Sequence, residues 1–214
     1  MAAQKGTQDA PKRKRGRGAD PEETRQALLR AAIDSLVEDG YRGTTARSIG
    51  TRATCNQAAI YYHFGGIENL LIEALRVSSA ARLERYEDAL PQGVGLQELI
   101  SAIEELYVED RSSGHLGLLT ELVGGITASP ELRVGIEEAT QPWLDFVEGR
   151  IVEASKDLPF GAAMPARDVA DVVFSLVIGV ELRNKIDGKL DRSDRLFRLA
   201  RLAAGIAEAS ASKG

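Results

Sequence analysis

Residues 44–71 read TTARSIGTRATCNQAAIYYHFGGIENLL, and their pattern decides the fold of the N-terminal part of the chain. Residues 45–53 and 57–64 are predicted to form two short helices with only three residues between them. A short side-chain oxygen just before a helix accepts a free N–H of the first turn, and Asn56 is placed to do this for the second helix. Thr44 or Thr45 is placed to do the same for the first. Two helices joined by so short a turn are typical of a helix-turn-helix.

The second helix has an apolar face and a polar, aromatic face. Ile60 and Phe64 are four residues apart, so they lie on one side of the helix, and we assign them to the core. The residues left facing outward are Gln57, Ala58, Tyr61 and His63. A glutamine side chain can bond bidentately to adenine, and a tyrosine hydroxyl suits a phosphate oxygen. This face predicts contact with duplex DNA, whereas packing inside the protein is the alternative for Tyr62 and His63.

The same stretch resembles the DNA-binding region of the TetR family of bacterial transcription regulators. The residues that carry the resemblance are Thr44, Thr45, Ile49, Ala53, Asn56, the run at 59–64, Glu68, Leu70 and Leu71. The resemblance implies a homodimeric repressor whose C-terminal helical domain binds a small molecule and then releases the operator. Carried over by position, the residues that contact DNA are Thr45, Ala46, Arg47, Gln57, Ala58, Ala59, Tyr61, Tyr62 and His63.

Two positions depart from the family pattern. Thr54 stands where the family usually has a glycine, and a β-branched residue held there in a left-handed conformation would cost about 1–2 kcal/mol. Ile67 stands where the family usually has a lysine that binds a phosphate. Backbone N–H groups of Gly65 and Gly66, at the start of the next helix, could bind a phosphate instead.

The charge of the chain is unevenly distributed. The net charge is −5, but residues 1–76 hold 12 Lys and Arg against 9 Asp and Glu, whereas residues 77–214 hold 15 against 23. A basic front and an acidic body suit a protein that presents one end to DNA. Residues 1–19 are predicted to be a disordered arm that binds DNA, and a solubilising tail is the alternative. Its basic residues include Lys12, Arg13, Lys14, Arg15 and Arg17.

The chain is predicted to be all-α, with about nine helices in two domains. Residues 20–66 form the helix-turn-helix domain, and residues 67–214 form a larger helical domain for regulation, ligand binding and dimerisation. The first helix begins at Asp20 and Pro21 and ends at Gly40. Its predicted buried stripe is Leu28, Leu29, Ala32, Ile33, Leu36 and Val37. Further helices are expected at 67–90, 96–112, 115–128, 130–156, 166–187 and 192–209, and Pro142 is expected to kink or split the one at 130–156.

The last two helices are too apolar for one chain to cover them. Residues 169–182 are apolar on nearly every face, and a helix of that kind is buried. The same pair of helices from a second copy would complete a four-helix interface around a twofold axis, so we expect a homodimer. A core formed within a single chain is the alternative.

A ligand site is expected among helices 5 to 8 of the predicted nine, which span residues 96–187, because large amphipathic side chains recur there. The residues assigned to it are Tyr107, His115, Glu121, Trp143, Phe146 and Phe174. A mostly apolar pocket with a few polar groups would suit a small apolar or amphipathic ligand. The alternative is that the aromatic residues are ordinary core and that His115 caps a helix or faces solvent. The helix at 67–90 touches both domains and is the expected transmitter.

Other classes of protein are disfavoured. No apolar stretch approaches the length of a membrane span, and the single cysteine, Cys55, suits a reducing cytoplasm. No nucleophile elbow, phosphate-binding loop or metal-ligand spacing is present, so we expect neither an enzyme nor a cofactor or metal. The sequence therefore predicts a cytoplasmic DNA-binding regulator, a repressor that a ligand releases from a palindromic operator. A regulator without an effector, controlled by a protein partner or by abundance, is the alternative.

Overall fold

The computed structural model describes residues 20–112, 114–127, 129–158, 161–189 and 191–211. In these ranges the chain is all-α, which confirms the predicted fold class, and a short 3-10 helix lies at Gly161–Ala163. The nine α-helices of the described residues are α1 (Pro21–Gly43), α2 (Ala46–Arg52), α3 (Ala58–Phe64), α4 (Ile67–Ala89), α5 (Leu96–Ser112), α6 (His115–Gly125), α7 (Pro130–Ser155), α8 (Ala166–Asp187) and α9 (Arg192–Ala211).

Helix α1 begins at a cap and is interrupted by a glycine. The Asp20 carboxylate accepts a hydrogen bond from the backbone N–H of Glu22 at 3.0 Å. Pro21 lies in the first turn, where backbone N–H groups have no acceptor within the helix, so its lack of an N–H costs no hydrogen bond. Gly40 has φ 68° and ψ 177°, a conformation open to glycine. The helix therefore breaks where the sequence predicts, although helical structure continues beyond the break to Gly43.

A central core joins α1, α4, α6 and α7 to the helix-turn-helix. Ile49 of α2 and Ile60 of α3 are fully buried in it, together with Leu28 and Leu36 of α1. The predicted stripe on α1 is wrong at Val37, which is 41% exposed. The residue that faces Val37 is Gly114, just before α6, and a glycine has no side chain that could cover the valine.

The second half of α4 packs against α5 and α7 instead. Tyr86 and Leu90 form a cluster with two leucines of α5. Beside this cluster, the carboxylate of Asp110 in α5 is completely buried and accepts hydrogen bonds from Arg82 and Arg85 of α4. Because α4 reaches both the central core and this cluster, it links the two ends of the molecule.

Helix α7 continues through Pro142 as one element, so of the two predicted outcomes, a kink or a split, the split does not occur. Proline removes one hydrogen bond to the carbonyl four residues earlier, which here belongs to Glu138. Both Pro142 and Glu138 are exposed. Water can satisfy the unbonded carbonyl on this face, and the buried face of the helix keeps its contacts.

Helices α8 and α9 expose many large apolar side chains. The exposed residues of this type are Val172, Val173, Leu176, Leu182 and Ile186 on α8 and Leu199, Leu202 and Ile206 on α9. They are named the α8–α9 face below. Within the described ranges, no helix is both long and apolar enough to cross a lipid bilayer.

Candidate DNA-binding interface

Helix α2 begins at a reciprocal cap formed by Thr45 and Ser48. The Thr45 hydroxyl accepts the backbone N–H of Ser48 at 3.0 Å, and the Ser48 hydroxyl accepts the backbone N–H of Thr45 at 2.8 Å. Thr44 is buried, and its hydroxyl donates to the carbonyl of Gly40 at 2.7 Å. Of the two alternatives from the sequence, Thr45 is therefore the cap, and Thr44 ties the start of α2 to the break in α1.

The turn between α2 and α3 depends on two unusual backbone positions. Thr54 has φ 56°, the left-handed conformation expected for a position that is usually glycine. The backbone N–H of Cys55 donates to the carbonyl of Gly50 at 2.8 Å, and a Cβ on Gly50 would lie only 3.1 Å from the carbonyl oxygen of Cys55. The Asn56 side chain accepts the backbone N–H of Ala58 at 2.9 Å, so the predicted cap of α3 forms. This leaves the Gln57 side chain without a capping bond.

Helix α3 presents a mixed polar and aromatic face to solvent. Ile60 is fully buried and Phe64 packs at the edge of the central core, as predicted. Tyr61 and Tyr62 are 59% and 81% exposed, and Gln57 and Ala58 are also exposed. Ala59 and His63 are half-buried, and the His63 ring meets the Tyr62 ring edge-on at 4.9 Å. The exposure of Tyr62 favours a role at the surface over the packing alternative.

The exposed start of α2 adds the other predicted contacts. Thr45 and Arg47 are exposed and Ala46 is half-buried. Arg47 makes no ion pair with the described residues, whereas Arg52 at the end of the helix pairs with Glu38 at 2.7 Å and with Asp39 at 3.1 Å. The hydrogen bond with Glu38 raises the pKa of the Arg52 guanidinium. Arg47 therefore remains available for a phosphate.

Positive charge is scarce on this part of the molecule. Residues 20–76 hold six Arg against eight Asp and Glu, so the basic excess of the N-terminal third comes from residues 1–19. The basic residues predicted to contact DNA, at positions 12–15 and 17, lie outside the described residues. The expected phosphate site at Gly65 and Gly66 has one donor fewer than predicted, because the Gly65 N–H already donates to the carbonyl of Tyr61 at 3.0 Å.

The described side chains among those assigned to a ligand site lie in separate clusters. Trp143 packs edge-on against Tyr86 and Phe146, with ring centroids 5.0 and 6.2 Å away. Tyr107 lies in another cluster, where its ring packs on Phe197 at 5.3 Å and its hydroxyl donates to Glu181. Burial and the hydrogen bond to Glu181 raise the pKa of this phenol. Tyr107 and Trp143 therefore act as core residues here.

Glu121 and Phe174 of that set lie apart from both clusters. Glu121 binds the backbone N–H of Tyr41 at 2.9 Å and Lys185 at 2.6 Å, and Phe174 is half-buried in α8. His115 is the first residue of α6, and its side chain lies outside the described part of the structure. The sequence placed all six in helices 5 to 8, but helical spacing alone could not show which of them share a space.

A cleft of about 580 Å³ lies where α3, α4 and α7 meet, and its lining includes none of the five residues of that set whose side chains are described. Its walls include His63 and Phe64 from the end of α3 and Ile72, Val134 and Gly135 from α4 and α7. Two ion pairs, Arg25 with Glu73 and Arg76 with Glu138, lie at its edge. The cleft is open to solvent and lies beside the central core, between the end of α3 and the adjoining parts of α4 and α7.

Comparisons with known proteins agree with this arrangement. The family model for bacterial regulatory proteins of the tetR family matches residues 28–74, from α1 into α4. The fatty acid metabolism regulator protein of Bacillus subtilis (strain 168) is 20% identical over 151 residues, which cover 70% of this chain and 77% of that protein. The HTH-type transcriptional repressor NicS of Pseudomonas putida is 33% identical over 97 residues, covering 43% of this chain and 45% of NicS.

A solved structure extends the likeness in fold to most of the chain. A Rhodococcus sp. protein assigned to the TetR family of transcriptional regulators superposes with a TM-score of 0.71 at 19% identity, over 85% of this chain and 98% of that chain. Regulators of this family bind double-stranded DNA and act as dimers. Residues 28–74 therefore match the tetR family, which consists of transcriptional regulators and not enzymes, and most of the chain shares the fold of such a regulator.

Proposed function

We propose that the chain is a homodimeric repressor that places α3 of each protomer in the major groove of a palindromic operator. The observation that carries the proposal is the division of α3 into a face anchored by buried Ile60 and a face with exposed Gln57, Ala58 and Tyr61. A recognition helix reads base edges mainly with its N-terminal residues. Gln57 is therefore assigned to a base, and the small side chain of Ala58 allows close approach.

The remaining contacts fix the protein on the DNA backbone. Tyr61 and Tyr62 carry exposed hydroxyl groups suited to phosphate oxygens, and Arg47 supplies a cation at the start of α2. Residues 20–76 carry more acidic than basic groups, which makes the arm at residues 1–19 the main source of positive charge. We assign its Lys and Arg side chains to phosphates or to the adjacent minor groove.

Dimerisation is assigned to the α8–α9 face. Leu199, Leu202 and Ile206 of α9 are more than half exposed, as are Val172 and Ile186 of α8. Large apolar side chains that are exposed together on neighbouring parts of the chain indicate a protein–protein interface. The same face on a second copy would cover it with the twofold symmetry that a palindromic operator requires.

Release by a small apolar or amphipathic ligand is the second part of the proposal. A ligand that binds one separation of the two α3 helices better than another shifts the population toward it. One relative is named for fatty acid metabolism, so acyl compounds are the first probes for a thermal-shift screen followed by operator release. If a compound raises the melting temperature of the protein but does not release it from the operator, the alternative of a regulator without such an effector is favoured.

The experiment that tests DNA recognition is selection of bound sequences from a random duplex library by the full-length protein. We expect enrichment of an inverted repeat. Gln57→Ala should relax one position in each half-site, because a bidentate side-chain contact contributes about 1–3 kcal/mol of discrimination. Gln141→Ala, at an exposed position on α7, is the control and should leave the selected motif unchanged. No enrichment with the unmodified protein would refute the proposal.

A further inference from the structure

The break in α1 frees a backbone amide at the entrance to the helix-turn-helix. Gly40, with φ 68°, turns the chain out of the helix, and the next residue, Tyr41, cannot donate its N–H in the usual way to the carbonyl four residues earlier. The N–H donates instead to Oε2 of Glu121 in α6 at 2.9 Å. A buried or half-buried amide without a partner is costly, so this carboxylate stabilises the break.

The other oxygen of the same carboxylate is bound by α8. Lys185 Nζ lies 2.6 Å from Glu121 Oε1, and it also lies 3.4 Å from the carbonyl oxygen of Gly117 in α6. Lys185 is flanked along α8 by Leu182 and Ile186, two members of the α8–α9 face. A single side chain therefore connects the first residue after the α1 break to the helix assigned to dimerisation.

The fit around Glu121 is close and electrostatically favourable. A Cβ on Gly40 would lie 2.9 Å from Oε2 of Glu121, so a side chain at this position would displace the carboxylate. Partial burial raises the pKa of Glu121, but the hydrogen bonds from Lys185 and from the Tyr41 N–H outweigh it and hold the pKa below its usual range. The carboxylate is therefore charged at neutral pH, as both contacts require.

We propose that Glu121 is a positioning residue for operator binding, which fixes the orientation of α2 and α3 relative to the dimer helices through the bridge Tyr41–Glu121–Lys185. The proposal rests on the proposed repressor function. Thr44 connects the bridge to the start of α2, because its hydroxyl donates to the carbonyl of Gly40, the residue before Tyr41. This bridge adds a polar connection between the regulatory helices and α3 to the one through α4, which the sequence had indicated.

The test compares operator affinity in variants that remove the bridge from either end. Lys185→Met removes the ion pair and keeps most of the side-chain volume, and Glu121→Gln removes the charge but keeps an acceptor for the Tyr41 N–H. We expect each to weaken operator binding about fivefold at a fixed concentration of dimer. Arg167→Met is the matched control, because Arg167 is also on α8 and pairs with Asp145 of α7 at 2.7 Å, away from the helix-turn-helix. It should leave operator affinity unchanged.

Two further variants separate positioning from simple helix packing. In Glu121→Ala, adding Lys185→Met should cause no additional loss of affinity, because Lys185 acts through Glu121. Exchanging the two charges, Glu121→Lys with Lys185→Glu, restores an ion pair between α6 and α8 but leaves no acceptor for the Tyr41 N–H. The proposal predicts that this exchange does not restore operator affinity, and full restoration would overturn it.

Amide exchange gives a readout that does not depend on DNA. Exchange of the Tyr41 amide should be about tenfold faster in both Glu121→Ala and Lys185→Met than in the unmodified protein or in Arg167→Met, since local opening controls exchange. Unchanged exchange in Lys185→Met would overturn the bridge. Failure of the unmodified protein to bind any duplex would instead refute the proposed function, so the two failures can be distinguished.

Discussion

Thr54 shows how one residue can hold strain in a functional turn. Its φ of 56° places a β-branched side chain in the left-handed region, where such residues are rarely found. Thr54→Gly should therefore raise the stability of the protein by about 1 kcal/mol, which corresponds to about 2–4 °C in the melting temperature of a chain of this size. Differential scanning calorimetry at a fixed protein concentration measures the change.

Thr51→Gly is the control for Thr54→Gly. Thr51 is exposed in the regular part of α2, so glycine there should lower the melting temperature through the loss of helix propensity. A melting temperature for Thr54→Gly that is unchanged or lower would contradict the strain assigned to this turn.

Residue-level prediction succeeded where one local rule decides the outcome. The caps at Asp20 and Asn56 and the inward direction of Ile60 follow from short-range hydrogen bonding and from helical spacing. Glu121 could not be assigned in the same way, since its partners lie 80 and 64 residues away in the chain. The sequence marked Glu121 as a candidate ligand contact, whereas in the structure its carboxylate binds the backbone N–H of Tyr41 and the ammonium group of Lys185.

At the scale of helices, a buried carboxylate joins α4 to α5. Asp110 is completely buried and paired with Arg82, with N–O distance 2.7 Å, and with Arg85. Asp110→Ala should lower the free energy of unfolding by about 2–4 kcal/mol, because it leaves two guanidinium groups, both partly shielded from water, without their carboxylate. Urea denaturation followed by circular dichroism gives this value.

Asp145→Ala provides the comparison for Asp110→Ala. Its ion pair with Arg167 is exposed, so the loss should stay below about 1 kcal/mol. Equal effects of the two substitutions would show that burial does not strengthen the contact between α4 and α5.

The N-terminal arm is the element on which the electrostatics of DNA binding depend. Deleting residues 1–18 removes six Lys and Arg and one Asp, while residues 20–76 carry more acid than base. Operator binding should weaken, and the slope of log Kd against log salt should fall by about 0.9 for each lost phosphate contact. Fluorescence anisotropy over a range of salt concentrations measures both. A slope equal to that of the full-length chain would identify the arm as a solubilising tail.

Helix bounds were predictable because their signals are local. Loops rich in glycine and proline separate the helices, and α5 and α8 begin and end where the pattern predicts. The sequence could not decide whether Pro142 kinks or splits α7, because the effect of proline depends on whether the freed carbonyl faces water or core, and tertiary packing determines that. The location of a cleft also depends on how several helices pack together, so it cannot be predicted from the sequence of any one helix.

For the whole molecule, the α8–α9 face predicts that the folded protomer is incomplete by itself. Leu199→Glu with Leu202→Glu places two charges on this face, at positions 65% and 61% exposed in the single chain. We expect the variant to sediment as a monomer and to lose high-affinity operator binding, because two recognition helices are no longer held together. Analytical ultracentrifugation and anisotropy give the two readouts.

Val152→Glu is the control for this pair of substitutions. Val152 is also an exposed apolar residue, but it lies on α7, outside the α8–α9 face. It should remain a dimer with unchanged affinity. A dimeric Leu199→Glu, Leu202→Glu variant would place the interface elsewhere on the molecule.

The central claim is that two copies of α3 occupy the major groove at symmetric positions. The most direct measurement is 7-deazapurine interference on the selected duplex, in which each purine in turn loses the N7 acceptor that lies in the major groove. The account predicts two patches of interference related by a twofold axis, with centres about 10 base pairs or a multiple of that apart. A single patch, or binding that is unaffected at every purine, would contradict it.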